Sequence, residues 1–264
     1  MRVYFDNAAT TALDPEVFEA MKPYMLEHFG NPSSTHAHGR NARTAIEASR
    51  KQIASLLHCT PGEIIFTSGG TEADNAILTS SVRTYNIKNV ITSPLEHHAV
   101  LHTLSTLEKQ GLVTIHYVNL DAQGNVDLNH LARLLQQYGN ALVSLMQGNN
   151  EIGNLLDIDR VAELCHAHNA YFHSDTVQTV GHYKHDLTTT KVHGITAAAH
   201  KFHGPKGVGF MFIRKDKKIS PLIHGGAQER NMRGGTENVY GIAGLAKALE
   251  IAYRDMDEHV RYIT

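Results

Sequence analysis

Residues 197–209 read AAAHKFHGPKGVG, and the rest of the chain is organised around this stretch. The small apolar residues at 194–199 are typical of a buried strand, and Lys201 follows them closely. Two glycines and a proline at 204–207 then exclude a helix and predict a tight turn. Burial disfavours the ammonium form, so Lys201 can act as an amine nucleophile near neutral pH, as a Schiff-base lysine must. A lone lysine at a strand end is more often simply solvated, and the other motifs decide between these readings.

The chain has 264 residues, which is long enough to bury one large core. With 42% hydrophobic and 19% charged residues, its composition is that of a globular protein. A net charge of -2 gives no electrostatic basis for binding nucleic acid or an anionic membrane. The two cysteines do not make a disulfide framework, and no stretch resembles a signal peptide or a membrane span. We therefore expect a cytoplasmic protein. The 19 histidines contain no His-Glu-x-x-His frame, so no metal site is expected.

Short apolar runs that suit strands alternate with amphipathic stretches that suit helices between residues 64 and 213. This alternation predicts βαβ units, and hence an α/β fold with a mainly parallel sheet flanked by helices. In such sheets the ligand site lies at the carboxyl ends of the strands.

The two ends of the chain carry their own predictions. Residues 1–12 are expected to form a short strand that leads into a turn, and Asp14-Pro15 to begin a helix. Residues 239–260 are expected to form one amphipathic helix. The predicted organisation is an N-terminal segment over 1–15, a large domain over 16–250, and the start of a second, small domain over 251–264.

A glycine turn between a strand and a helix occurs at residues 67–75, TSGGTEADN. Gly69 and Gly70 let backbone N–H groups approach a ligand, and a helix N-terminus favours an anion. With the hydroxyls of Ser68 and Thr71, the segment predicts a phosphate cradle, although glycine turns before helices are often only caps. Residues 67–75 lack the glycine-rich sequence motifs of the proteins that bind nucleoside triphosphates or dinucleotides.

An aspartate follows a buried strand in residues 172–178, FHSDTVQ. Asp175 is either a structural hydrogen-bonding group or the partner of a cationic ligand nitrogen. The phosphate cradle, Asp175 and Lys201 together match the three groups by which a protein can bind pyridoxal 5'-phosphate. These groups are the phosphate, the ring nitrogen and the aldehyde, respectively.

Further motifs run through nearly the whole chain: YFDNAATT (4–11), GNPSS (30–34), FTSGGTEADN (66–75), EH (96–97), NNEIG (149–153), DTVQ (175–178), HK (200–201), GPKG (204–207), GGAQER (225–230) and TEN (236–238). In this order they resemble the cysteine desulfurases within the class V, fold type I aminotransferases. The resemblance implies a fold type I pyridoxal-phosphate-dependent transferase whose small C-terminal domain is largely missing from this chain. It also implies conversion of L-cysteine to L-alanine, with sulfur passed through an enzyme persulfide to a sulfur-acceptor protein, as in iron–sulfur cluster assembly. A homodimer is implied as well.

The resemblance also implies roles for individual residues. Lys201 would bond the cofactor and move the α-proton of the substrate, Asp175 would pair with the protonated pyridine nitrogen, and His97 would stack on the ring. The alternative for His97 is a solvent-facing residue at a helix start. The other implied cofactor-binding residues are Asn150 and Gln178 at the ring oxygen or substrate carboxylate, Gly70, Thr71 and His200 at the phosphate, and Thr236 at the phosphate of a neighbouring subunit.

Two departures from the family pattern are visible. Ala198 stands where the family usually has a serine whose hydroxyl meets the phosphate. The family's persulfide-forming cysteine and its substrate-gripping arginine come later than the last residue of this sequence. Cys59 and Cys165 are expected to be small buried packing residues instead. A selenocysteine lyase, another class V aminotransferase and a catalytically inactive cofactor-binding scaffold therefore remain as alternatives.

Overall fold

The computed structural model describes residues 2–263, so the first residue of the predicted 1–15 segment and the last of the predicted 251–264 segment lie outside the described residues. Within this part of the chain the strands form one sheet in the order β1-β7-β6-β5-β4-β2-β3. Their bounds are β1 Ile64–Thr67, β2 Asn89–Thr92, β3 Thr114–Tyr117, β4 Leu142–Ser144, β5 Tyr171–Asp175, β6 Gly194–Ala198 and β7 Gly209–Ile213. Strands β2 to β6 pair in parallel, and β7 is antiparallel to both β6 and β1. The mainly parallel sheet predicted from the sequence is confirmed.

Helices cover both faces of the sheet. Their bounds are α1 Pro15–Leu26, α2 Ala37–Leu56, α3 Gly70–Thr84, α4 His98–Lys109, α5 Leu128–Tyr138, α6 Ile158–Ala167, α7 Val239–Arg254 and α8 Met256–Ile263. Alternate strand residues enter separate cores: Ile64 and Phe66 join the core that includes α2 and α7, whereas Ile65 joins the core that includes α3 and α4. Strands β1, β4, β6 and β7 are largely apolar on both sides because both sides are buried, whereas the edge strand β3 is exposed or half-buried.

The start of α1 follows its sequence signals. Asp14 is the N-cap, and its Oδ1 accepts the N–H of Glu16 at 2.7 Å. Pro15 occupies the first turn, where its missing N–H costs no hydrogen bond. The prediction that a helix begins at Asp14-Pro15 is confirmed.

The prediction of a strand over residues 1–12 is wrong, since the described residues 2–12 contain none. The backbone of this segment bonds to the turn that follows β6. The N–H of Thr11 donates to the carbonyl of His200 at 2.8 Å, and the Thr11 hydroxyl accepts the N–H of His203 at 2.7 Å. The segment therefore packs beside Lys201 and not along the sheet.

The prediction of one helix over residues 239–260 is also wrong. Asp255, with φ of -102° and ψ of 4°, separates α7 from α8. Its carboxylate accepts a bond from Arg254 at 2.8 Å, and Arg254 also pairs with Glu16 of α1 at 3.0 Å. Among the described residues, none of the helices is long and apolar enough to cross a membrane.

Candidate active site

The ends of several elements meet around one cavity of about 410 Å³. Asp175 is the last residue of β5, Lys201 ends the short 3₁₀ turn that follows β6, and Gly70 begins α3 just after β1. This is the carboxyl edge of the parallel strands, where α/β sheets bind ligands. We call this space the lysine cavity; its lining is Asp6, Ala8, Ala9, Gly70, Thr71, Asp74, His97, Met146, Asn150, Glu151, Asp175, Val177, Gln178, Ala198, His200 and Lys201.

The structure brings together the residues singled out from the sequence, with two exceptions. Lys201, Asp175, Gly70, Thr71, His97, Asn150, Gln178 and His200 all line the lysine cavity. Thr236 lies exposed on a loop outside that lining. Ser68, expected to add a hydroxyl to the phosphate cradle, also lies outside it, and its N–H donates to Glu72 at 2.9 Å.

The side chain of Lys201 is partly buried, and its amine faces the N-terminal segment. Nζ donates to the carbonyl of Ala9 at 3.0 Å and also to the carbonyl of Ala8. Burial lowers the pKa of Lys201, while the negative charges of Asp175 and Asp6 act in the opposite direction. The amine is therefore easier to deprotonate than that of a solvated lysine.

Asp175 lies at the bottom of the lysine cavity with 4% of its surface exposed. Its Oδ1 accepts the N–H of Val177 at 2.9 Å. Burial, followed by the proximity of Asp74, raises the pKa of Asp175 to about 7. A cation placed beside this carboxyl would return it to the ionised form, because the opposite charge replaces the lost hydration.

The glycine turn before α3 brings the backbone close to the cavity. Gly69 has a φ of +153°, which L side chains rarely adopt. A Cβ atom at Gly70 would stand 2.6 Å from Cγ2 of Val177, so only glycine fits here without a shift. The first N–H groups of α3 and the hydroxyl-bearing Thr71 thus border the cavity without a side chain in the way, which suits an anion.

His97 is an exposed residue at the start of α4 that also borders the lysine cavity. Its Nδ1 accepts the N–H of Ala99 at 3.1 Å and caps α4. The ring is nevertheless part of the cavity lining. It can therefore cover a flat ligand without leaving its capping position.

The two cysteines lie away from the lysine cavity. Cys165 is fully buried in α6, and Cys59 is half-buried after α2. Burial raises the pKa of both thiols, that of Cys59 to about 12. Cys165 is part of the apolar core and Cys59 packs against that core, so the prediction of buried packing residues is confirmed for Cys165, whereas Cys59 is only half-buried.

Asp74 is a cavity residue that sequence reasoning missed. It is 1% exposed and lies on α3. A signal was present, because Ile77 and Leu78 follow at the spacing of one helix face. An aspartate on an apolar helix face is buried, and a buried carboxyl needs an explanation.

The fold and the cavity define a class of protein: a fold type I transferase with a lysine and an aspartate at the carboxyl ends of neighbouring strands. The chain belongs to the class V aminotransferase family, whose model, described as "Aminotransferase class-V", matches residues 3–262. Within this family the relatives that it resembles are cysteine desulfurases. It is 48% identical to the "Cysteine desulfurase IscS" of Dictyoglomus turgidum over 99% of this chain, and it spans 66% of the length of that relative.

Two solved structures share the fold of this chain. A "NIFS-LIKE PROTEIN" superposes with a TM-score of 0.94 at 43% identity, covering 98% of this chain and 71% of the other. The structure titled "SspA in complex with cysteine" superposes with a TM-score of 0.90 at 32% identity, covering 94% of this chain and 72% of the other.

Proposed function

We propose that this chain is the cofactor-binding part of a pyridoxal-phosphate-dependent cysteine desulfurase, which converts L-cysteine to L-alanine and passes on the sulfur. The observation that carries the proposal is the meeting of Lys201, Asp175 and the Gly70–Thr71 turn in one cavity. The name of the Dictyoglomus relative and the cysteine bound to SspA support the activity and the substrate.

The residues present fit pyridoxal 5'-phosphate. The Lys201 amine suits its aldehyde, the Asp175 carboxyl its ring nitrogen, and the uncovered start of α3 at Gly70 its phosphate. The remaining proposed contacts are Thr71 and His200 at the phosphate, His97 over the ring, and Asn150 and Gln178 at the ring oxygen or the substrate carboxylate. When bound, the cofactor supplies a cationic ring that stabilises negative charge at the substrate α-carbon.

The protein residues then have distinct tasks. Asp175, ionised beside a cation and shielded from water, keeps the ring nitrogen charged. The amine of Lys201, with its lowered pKa, accepts the substrate α-proton at Nζ. The N-terminal segment, held to the turn by Thr11, lies against that amine through the carbonyls of Ala8 and Ala9. This contact orients Nζ at the cavity.

Sulfur transfer needs a thiolate that this cavity does not contain. Both resident thiols have raised pKa values and lie elsewhere. We propose that the persulfide-forming cysteine belongs to a part of the protein outside these 264 residues.

We also propose that the protein is a cytoplasmic homodimer in which Thr236 reaches the cofactor phosphate of the neighbouring subunit. The sulfur would pass to an acceptor protein of the kind used in iron–sulfur cluster assembly.

Exchange of the substrate α-proton tests this function directly. The chain is loaded with pyridoxal phosphate and incubated in deuterium oxide with L-cysteine, L-alanine or L-selenocysteine, and deuterium at the α-carbon is measured by mass spectrometry. We expect exchange with L-cysteine and L-alanine, and none in a Lys201→Ala variant. Faster exchange with selenocysteine would favour a selenocysteine lyase, and no exchange with any amino acid would favour an inactive scaffold.

Replacing Ala198 by serine should strengthen cofactor binding modestly. Ala198 lines the lysine cavity at the end of β6. A hydroxyl there adds one hydrogen bond to a charged phosphate, so we expect the dissociation constant to fall by no more than about tenfold. Absorbance titration of Ala198→Ser against the unmodified chain measures the change. An unchanged constant would mean that the phosphate does not approach the end of β6 or is already fully bonded.

A further inference from the structure

A half-buried ion pair stands beside the phosphate cradle but has no task in the proposed function. Nε of Arg233 lies 2.9 Å from Oε1 of Glu72, and Nη2 of Arg233 lies 3.1 Å from Oε2. The exposed fractions of the two side chains are 23% and 11%. Two parallel hydrogen bonds of this kind fix the geometry of the pair as well as matching its charges. Within residues 2–263 no other lysine or arginine forms an ion pair with Glu72.

Glu72 occupies a place where a negative charge opposes the binding of an anion. It lies in the first turn of α3, directly after Gly70 and Thr71, which line the lysine cavity. The free N–H groups at a helix start are equivalent to about half a positive elementary charge, which attracts an anion. A full negative charge in the same turn cancels this attraction unless a cation compensates it. Arg233 is placed to do so.

The carboxylate of Glu72 is ionised and lies outside the cavity lining. Its Oε2 also accepts the N–H of Ser68 at 2.9 Å. Burial raises the pKa of Glu72, but the hydrogen bonds from Arg233 and Ser68 lower it by more, so that the pKa falls below its ordinary value. The pair therefore keeps the carboxylate charged, compensated and out of the space that an anion would occupy.

The loop that carries Arg233 is anchored to the sheet. Glu229 of this loop accepts both terminal nitrogens of Arg50 at 2.7 Å and the N–H of Phe66 in β1 at 2.8 Å. The three successive residues 229–231 have φ values of +45° to +67°, a conformation that residues other than glycine rarely adopt. The buried Glu229–Arg50 pair holds the loop in this conformation, so the guanidinium of Arg233 approaches α3 from a fixed position.

We propose that Arg233 is a positioning residue for phosphate binding, which orients and compensates the Glu72 carboxylate so that the start of α3 attracts the cofactor phosphate. The identity of the cofactor rests on the proposed function, whereas the attraction for a phosphate group does not. Phosphate affinity should therefore follow the net charge of the Arg233–Glu72 pair.

The test compares three dissociation constants at one ionic strength: those of pyridoxal phosphate, of pyridoxal, which lacks the phosphate, and of inorganic phosphate with the cofactor-free chain. The first two are measured by absorbance titration and the third by calorimetry. Arg233→Met leaves Glu72 uncompensated, so we expect the constants of pyridoxal phosphate and inorganic phosphate to rise by about tenfold. The constant of pyridoxal should stay within about twofold, because the cradle does not contact it.

Glu72→Gln should have the opposite effect. It keeps the size of the side chain and an acceptor for Ser68, but it leaves the arginine charge in excess. We expect both phosphate constants to fall by about threefold or more. This variant also provides the answer if Arg233→Met does not fold, since an unchanged phosphate affinity in Glu72→Gln would contradict the role of Arg233.

The double change of Arg233→Met with Glu72→Gln separates a charge effect from a packing effect. Because the net charge of the pair is again zero, phosphate affinity should return to within about threefold of the unmodified chain. A double variant as weak as Arg233→Met alone would overturn the proposal, because only a packing role resists this rescue. Arg230→Met is the control, because Arg230 lies on the same loop but pairs with Glu47 of α2 at 2.9 Å. Its constant for pyridoxal phosphate should stay within about twofold.

Failure of this inference is distinct from failure of the proposed function. A chain whose affinity for inorganic phosphate follows the charge of the pair, but whose Lys201 forms no bond to pyridoxal phosphate, would contradict the proposed function and support the role of Arg233. A chain that bonds pyridoxal phosphate through Lys201 with equal affinity in all four forms would contradict the role of Arg233 alone. An unmodified chain that does not bind inorganic phosphate would contradict it as well.

Discussion

Replacing Asp175 by asparagine is expected to slow exchange of the substrate α-proton by a hundredfold or more while the chain still folds. The carboxyl is 4% exposed and ends β5 at the bottom of the lysine cavity. Removing one member of a buried charge pair costs about 3 kcal/mol or more, because the other charge is left uncompensated. Asparagine keeps the size of the side chain but cannot hold the ring nitrogen in its charged form. Exchange is measured by mass spectrometry in deuterium oxide with the cofactor saturating.

The same substitution at an exposed aspartate far from the cavity provides the control. Asp257→Asn on α8 should leave the exchange rate within about twofold of the unmodified chain, since exposed ion pairs contribute little. Comparable rates for Asp175→Asn and Asp257→Asn would show that Asp175 has a structural role only.

The second large effect concerns sulfur. Loaded with cofactor and given L-cysteine without added thiol reductant, the 264-residue chain is expected to produce no sulfide, persulfide or alanine above background. Cys59 and Cys165 have raised pKa values and do not line the lysine cavity. A thiol that remains protonated and out of reach cannot take sulfur from the substrate. Sulfide is measured colorimetrically and alanine by chromatography.

The Dictyoglomus relative, treated in the same way, serves as the positive control and should yield both products. The variants Cys59→Ser and Cys165→Ser of this chain decide the meaning of an unexpected signal. Alanine produced by the unmodified chain and lost in either variant would show that a resident cysteine is the nucleophile, contrary to the proposal.

The part of the fold that could be predicted is the part determined by local sequence. Asp14 and Pro15 start α1 because a capping side chain and a preset φ act within a few residues. The alternation of apolar and amphipathic runs predicted the parallel sheet, because hydrophobic residues recur with different spacing in strands and in helices. Lys201, Asp175 and Gly70 could be placed together because the carboxyl ends of parallel strands lie at one edge.

The parts that failed depend on contacts between residues far apart in the chain. Tyr4 and Phe5 resemble a strand, but the segment bonds elsewhere. The N–H groups of Ala9 and Thr10 donate back to the carbonyl of Asp6, and that of Thr11 donates to the carbonyl of His200 in the turn after β6. Arg254 forms an ion pair with Glu16 at the break between α7 and α8, and the sequence around residue 254 does not predict this contact. The burial of Asp74 could have been read from the helix pattern, but its contacts with Thr196 and His173 come from strands more than ninety positions away along the chain.

The most direct test of the central claim is the identity of the residue that bonds the cofactor. The chain is mixed with pyridoxal phosphate, treated with sodium borohydride to make the bond permanent, digested, and analysed by peptide mass spectrometry. We expect a visible absorption band that borohydride removes, and a label on Lys201, whose pKa is lowered and which lines the lysine cavity. A label on Lys206 in place of Lys201, or a chain that stays colourless and unlabelled, would contradict the account.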